Sequence, residues 1–263
     1  MQTNPMKTWL SFLIIPFCAI TSFAAAEETL AKEPPVIVLV GDSTVAPNGG
    51  WGDGFAGLLA PGVKCINLAK GGRSSKSYRD EGFWQKVLEA KPAWVLIQFG
   101  HNDQPGKGPA RETDPNTSYR ANMARYVEEA QAAGAKAVLV TSLTRRNFDD
   151  HGKILPEGLA PYVESVKALA AEKHVPLIDL NARSVELMES LGPEKAAEFD
   201  REVKGPAKAA VPVEPRNPVN PDAPGPIDHT HLSPKGEEET AKLVATEVRA
   251  KLPELAKFLT DAK

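Results

Sequence analysis

Cysteine is scarce: the 263 residues hold two, Cys18 and Cys65. Cys18 lies in the first 26 residues, which read as removable, so a single thiol remains and no internal disulfide can form. Stability must therefore come from a buried core. Cys65, set between Lys64 and Ile66 in a strand-like stretch, reads as a buried, inert thiol. An excess of one charge is also missing. Past the first 26 residues, 30 basic residues face 34 acidic ones. That balance gives no electrostatic case for nucleic acid or an anionic membrane as partner. Long apolar runs are absent but for one, Trp9 to Ile20, which falls short of the ~20 residues a membrane span needs.

That run has a meaning of its own. Lys7 is the only charge before it, and Ala24-Ala25-Ala26 follows it ahead of Glu27-Glu28. A charged start, an apolar middle and small residues at the end make a secretory signal over residues 1–26. Export to the periplasm or outside the cell is expected, with no membrane attachment after cleavage. Residues 27–263 then form one domain.

Within it, strand-like and helix-like stretches alternate. Val36–Val40 is a continuous β-branched and aliphatic run, as in a strand buried on both faces of a parallel sheet. Val63–Leu68, Ala93–Phe99, Ala137–Thr141 and Val175–Leu180 read as four more strands. Helical spacing covers Trp51–Leu59, Ser77–Ala90, Tyr119–Ala133, Leu159–Lys173 and Lys235–Leu252, the last just after Pro234. The alternation predicts an α/β fold: a parallel five-stranded sheet with helices on both faces. One stretch breaks the pattern. Gly205–Pro226 carries seven prolines, which excludes helix and central strand and predicts a surface excursion.

Four short blocks fall where strands end or where the last helix begins. In open parallel sheets ligand sites are built at the strands' C-terminal ends. Gly41-Asp42-Ser43-Thr44 offers Ser43 as a nucleophile, or Ser43 and Thr44 as helix caps. Asn67 through Ser75 contains Gly71-Gly72, where backbone N–H groups can approach a ligand closely. Gly100-His101-Asn102-Asp103 offers Asn102 either as an amide donor to a developing oxyanion or as a turn residue. Asp228-His229-Thr230-His231 offers a base and an orienting carboxylate. A serine hydroxyl needs such a base near neutral pH, and the base needs a carboxylate to fix its tautomer. Asp228 and His231 stand three apart, so one short turn brings both toward Ser43. His229 competes for the same role. As a metal pair, His229 and His231 lack further local ligands, so no metal is expected.

The order Gly-Asp-Ser, Gly, Gly-x-Asn-Asp, Asp-x-x-His resembles the SGNH hydrolase superfamily, also called the GDSL esterases. The likeness runs from Val36 to the last helix. Gly-Asp-Ser-Thr, Gly-Gly-Arg-Ser, Phe99-Gly-His-Asn-Asp and Ile227-Asp-His-Thr-His resemble its rhamnogalacturonan acetylesterase branch. The resemblance implies a flavodoxin-like three-layer α/β/α sandwich, with Ser43 as nucleophile, His231 as base and Asp228 as its partner. It further implies an oxyanion hole from the N–H groups of Ser43 and Gly72 and the Asn102 side chain. Thr44 stands where the wider family has Leu, although Thr fits this branch, and the stretch 205–226 is not among the motifs that carry the resemblance.

The expectation is therefore a secreted serine esterase that removes acetyl groups from cell-wall polysaccharide without metal or organic cofactor. Its partner is an acetylated polysaccharide or oligosaccharide, and a monomer is expected. Trp51, Arg73 and His101 are candidate substrate contacts, Trp51 as a partly exposed aromatic beside two glycines. Phe55 and Trp84 fit core packing better. Two other readings compete. One is a GDSL lipase, lysophospholipase or thioesterase, disfavoured by the polar, Gly-rich loops. The other is a non-catalytic carbohydrate-binding protein, disfavoured by the complete set of catalytic residue types.

Overall fold

The structure, a computed structural model, describes residues 1–2, 34–202 and 228–260. Most of the expected leader, residues 3–26, and the Pro-rich stretch 205–226 lie outside the described residues. Five parallel strands make the central sheet: β1 (Val36–Gly41), β2 (Lys64–Asn67), β3 (Trp94–Gln98), β4 (Lys136–Val140) and β5 (Leu177–Ile178), in the order β2-β1-β3-β4-β5. Val38 pairs with Ile66 on one side and Val95 on the other.

Successive strand residues point to opposite faces, so a doubly buried strand feeds two cores. Ile37 and Leu39 enter one core, with Trp51 and Phe55 beside helix α1 (Gly52–Gly57) and Ala241, Val244 and Val248 of α7 (Pro234–Lys251). Val38 and Val40 enter the other. There they meet residues of α2 (Ser77–Asp80), α3 (Phe83–Glu89), α4 (Ser118–Ala132) and α5 (Ala160–Lys173). This is the three-layer α/β/α sandwich.

The sequence expectations need four corrections. The helix expected over Ser77–Ala90 is two helices, α2 and α3, because Gly82 takes φ 77° between them. The fifth strand is only two residues long. A helix not foreseen, α6 (Leu180–Ala196), follows β5 and is broken at Gly192-Pro193, where φ is 74°. Most consequential, the Asp228 block is not a short turn. It is a strand, β7 (Asp228–Leu232), paired antiparallel with β6 (Asp200–Arg201) in a separate two-stranded sheet. Helix α8 (Pro253–Ala256) is the last helix among the described residues. Among the described residues no helix is long and apolar enough to cross a membrane.

Cys65 is half-buried and unpaired. Burial, with the Asp53 carboxylate adding to it, pushes its thiol up to about 12.

Candidate active site

In this strand order the chain runs outward from β1 in both directions, to β2 on one side and β3 on the other. The crevice beyond the C-terminal ends of β1 and β3 is the topological switch point of the sheet. Gly41 ends β1 there. A Cβ on it would stand 2.6 Å from both the Gln98 carbonyl oxygen and Val45 Cγ2, so no larger residue fits. The next residues form a tight polar turn. Asp42 Oδ1 accepts from the Thr44 N–H at 2.8 Å and the Thr44 hydroxyl at 2.7 Å. Gln98, at the end of β3, donates to Thr44 Oγ1 at 2.6 Å and accepts from the Trp51 indole at 2.9 Å. This chain of bonds fixes the turn and leaves Ser43 half-buried at its crest. Helix α1 begins only at Gly52 with no side-chain cap, so neither Ser43 nor Thr44 caps it.

The second block is fastened against the first. Asn67 donates to the Val45 carbonyl at 3.0 Å, and the Lys70 N–H donates to the Gly41 carbonyl at 2.9 Å. Ser43 Cβ lies 3.6 Å from the Cβ position of Gly71. Gly72 has φ 76°, a left-handed conformation that favours glycine. Among the described residues, neither the Ser43 nor the Gly72 N–H has a hydrogen-bond acceptor.

The third block locks onto the second. Asn102 Nδ2 donates to the Arg73 carbonyl at 3.2 Å. Asp103 accepts from the Ser75 hydroxyl at 2.6 Å and the Thr113 hydroxyl at 2.8 Å. Burial pushes the Asp103 carboxyl up to about 6, against the pull of those hydrogen bonds.

The fourth block arrives from β7. His231 Nδ1 lies 2.6 Å from Asp228 Oδ2, while Asp228 Oδ1 accepts from the N–H groups of Thr230 at 2.9 Å and His231 at 3.0 Å. Partial burial would raise the Asp228 carboxyl. The His231 ring and the two backbone donors outweigh it and hold the carboxyl well below the usual carboxylate range. A ring held in this way by Nδ1 presents Nε2 as its acceptor. β7 docks on the loop that follows Ser43: the Leu232 N–H donates to the Gly49 carbonyl at 2.9 Å, and His231 Cβ lies 3.3 Å from the Cβ position of Gly49. Among the described residues no hydrogen bond joins the Ser43 hydroxyl to an imidazole. His229, the competitor, points its Nδ1 at Asp200 Oδ2, 2.7 Å away.

Two of the three candidate substrate contacts are buried, against the expectation of an exposed aromatic at Trp51. Trp51 is 0% exposed, its indole N–H taken by Gln98, so it offers no face to a sugar. The neighbouring glycines let the ring pack inward rather than expose it. His101 is only 4% exposed and lies beneath the surface, Nδ1 3.5 Å from Asp42 Oδ2. Burial pulls its imidazole down, and the charges of Arg145 and His231 add to that, against Asp42. Arg73 stays partly exposed, on the flank, paired with Glu81 at 2.8 Å. Two residues that the sequence reading did not single out complete the site's surroundings. Arg146 and Asp200 form a buried pair at 2.5 Å, and Arg146 also reaches the His231 carbonyl at 2.6 Å. The one signal for them was the tandem Arg145-Arg146 just past the end of β4.

Among the described residues no group of three or more His, Cys, Asp or Glu side chains could hold a metal ion. A groove lined by Trp94, Ala137, His174 and Leu252 opens at the N-terminal edge of the sheet, away from all four blocks.

The chain is 39% identical over 226 residues to the rhamnogalacturonan acetylesterase RhgT of Bacillus subtilis, covering 82% of this chain and 90% of that protein. It is 32% identical to a rhamnogalacturonan acetylesterase of Emericella nidulans, over 69% of this chain and 80% of that one. Among solved structures, the YxiM protein of Bacillus subtilis superposes with a TM-score of 0.65 at 24% identity, over 82% of this chain and 56% of that chain. The acetylxylan esterase Axe2 of Geobacillus stearothermophilus gives 0.57 at 18% identity, over 81% and 94%. At such identities the two structures speak for the fold alone. A sequence model described as the GDSL-like lipase/acylhydrolase family matches residues 39–238, from the middle of β1 into α7, and so takes in all four blocks. With that match and relatives above 30% identity over most of its length, this chain is an ester hydrolase and belongs to the GDSL-like lipase/acylhydrolase family.

Proposed function

We propose that the protein is a secreted serine esterase that removes acetyl groups from a cell-wall polysaccharide of the rhamnogalacturonan or pectin type. The observation that carries this reading is the Asp228–His231 pair at 2.6 Å, in a chain 39% identical to a named rhamnogalacturonan acetylesterase. In this mechanism Ser43 attacks the acetyl carbonyl while His231 Nε2 takes its proton. Asp228 holds the imidazole in the required tautomer and stabilises the imidazolium that forms. The tetrahedral oxyanion lies against the N–H groups of Ser43 and Gly72 and Nδ2 of Asn102, donors aimed at where charge develops. That neither N–H group has an acceptor among the described residues supports that assignment. His231 then protonates the departing sugar oxygen, and water releases acetate by the reverse sequence. Export to the periplasm or beyond is part of the proposal, since a wall polymer does not enter the cell; the apolar leader supports it.

The test is acetate release from a panel of acetylated pectic polymers and acetylated xylan, with the Ser43→Ala variant as control. Ser43-dependent release from pectic substrates is the expected result. Release that persists in Ser43→Ala would overturn the site, and release from xylan alone would overturn the substrate class. Hydrolysis of p-nitrophenyl palmitate in preference to the acetate would favour a lipase instead.

A further inference from the structure

The pair Asp228–His231 sits on a two-residue-by-five-residue sheet, apart from the large one. Something must hold it to the sub-ångström tolerance that proton transfer demands. The backbone ladder of β6 and β7 is short and irregular, with a register shift at Asp200–Arg201. One buried side chain spans the gap.

Arg146 leaves the end of β4 on the segment 141–146, which is anchored to α6. The Asn181 amide donates to the Ser142 carbonyl at 2.9 Å, and the Thr144 N–H donates to Ser184 Oγ at 3.1 Å. Its own N–H donates to the His229 carbonyl at 3.0 Å, so the segment runs along β7. Its side chain is only 2% exposed. The guanidinium donates through Nε to Asp200 Oδ1 at 2.5 Å and through Nη2 to the His231 carbonyl at 2.6 Å, with the Asp228 carbonyl at 3.4 Å. The two carbonyls belong to the two residues of the pair and bracket the arc between them. Asp200 is held in turn by His229, whose Nδ1 lies 2.7 Å from Oδ2.

A buried guanidinium is unfavourable to desolvate, and a hydrophobic isostere often stabilises as well or better, so its retention calls for a use. Its rigid planar fork holds two acceptors in a set geometry, which the single ammonium of a lysine on its flexible stem does not impose. From this geometry we infer that Arg146 is a positioning residue for His231, with Asp200 locking the fork and His229 serving Asp200 rather than the reaction. The inference rests on the esterase reading, because it assigns Arg146 a role through His231. It also explains why a chain with two histidines in one block commits only the second to the base role.

The experiment is steady-state hydrolysis of p-nitrophenyl acetate by Arg146→Lys and Asp200→Asn, with a pH profile of kcat/KM for each. Both variants keep side-chain volume, and Arg146→Lys keeps the charge that Asp200 faces. The expected result is a fall in kcat of about ten- to a hundredfold with KM little changed, together with a displaced acid limb. The limb moves because the His231–Asp228 contact is loosened. A residue that merely stabilised the fold would lower the melting temperature and leave the limb in place. Should Arg146→Lys fail to fold, Asp200→Asn carries the same readout. Wild-type kcat and an unmoved limb in the folded variants, with the parent active, would overturn the positioning role alone. A parent chain without Ser43-dependent hydrolysis would overturn the esterase reading and this inference together.

Discussion

The two halves of the proposed catalytic site, one carrying Ser43 as nucleophile and the other His231 as base, are held by different physics. The nucleophile half stands on the central sheet. Ser43 follows a strand whose residues from Ile37 to Val40 are 0% exposed, and its turn is tied to β3 by Gln98. The base half stands on two short strands outside that sheet, and buried polar groups do most of the holding: Arg146, Asp200 and the Gly49 carbonyl. Apolar packing holds the strand beneath the first half over many small contacts, and the Asp42, Thr44 and Gln98 bonds fix the turn above it. The second half depends on a few directional, charged bonds, each of which leaves a buried partner unsatisfied when removed. The site is thus rigid on one side and separately adjustable on the other.

Removing chemistry without disturbing either support gives the largest effects. Ser43→Ala, at the crest of the rigid half, should lower turnover on p-nitrophenyl acetate by on the order of 10⁴- to 10⁶-fold. Its thermal midpoint should stay near that of the parent. Asp228→Asn, in the adjustable half, should cost about 10⁴-fold in kcat by permitting the wrong tautomer of His231. Equal small losses in both variants would mean that neither residue carries the reaction. Next comes Asn102→Ala, which should cost about 10²- to 10³-fold if its amide stabilises the oxyanion. Full activity there would leave Asn102 with only its bond to the Arg73 carbonyl.

The same contrast decided what could be read from the sequence. The sheet was legible because Val36–Val40 and Ala93–Phe99 are runs whose burial on both faces leaves one reading. Ser43 and Asn102 stood out as candidates because each sits directly beyond a strand, and Gly72 because it lies in a Gly-rich loop; their roles remain part of the proposal. Strand β7 was not. Asp-His-Thr-His has no apolar alternation, and its partner β6 is two residues long and separated from it by the Pro-rich stretch. Pairing of that kind is specified by tertiary contacts, not by local pattern. Arg146 was hidden for a related reason. A buried arginine looks like any other arginine until its carboxylate partner, here Asp200, is known. Helix α6 was missed because Gly192-Pro193 breaks its periodicity. Trp51 was misread because flanking glycines signal backbone freedom, not exposure.

A smaller effect concerns the clasp between the second and third blocks. The Asp103 carboxyl has a folded-state value of about 6 against an ordinary 3.8, burial being the main cause. A carboxyl raised on folding disfavours the folded state once the unfolded chain has ionised. Below about pH 4 it is protonated in both states and contributes nothing. Stability should then fall as pH rises from about 4 to about 6, by roughly 3 kcal/mol, and level off above. Urea unfolding at pH 4, 5, 6 and 7 measures that slope. Asp103→Asn, which cannot ionise, should flatten it. An unchanged slope in the variant would assign the pH dependence to other groups.

The smallest effect sharpens the boundary between support and surface. Trp51→Phe keeps an aromatic ring in the core but removes the indole donor to Gln98 Oε1, which sits 2.9 Å away and is itself buried. Leaving that oxygen without a donor costs about 1–3 kcal/mol. Unfolding in urea should register the loss. The ring is fully buried, so KM for an acetylated polysaccharide should match that of the parent. Gln98 also donates to Thr44, so a slackened Gln98 should lower kcat slightly through the turn that carries Ser43. A raised KM with unchanged stability would reverse both conclusions. It would return Trp51 to the substrate surface, and the rigid half of the site would then be neither as closed nor as independent of the ligand as its hydrogen bonds indicate.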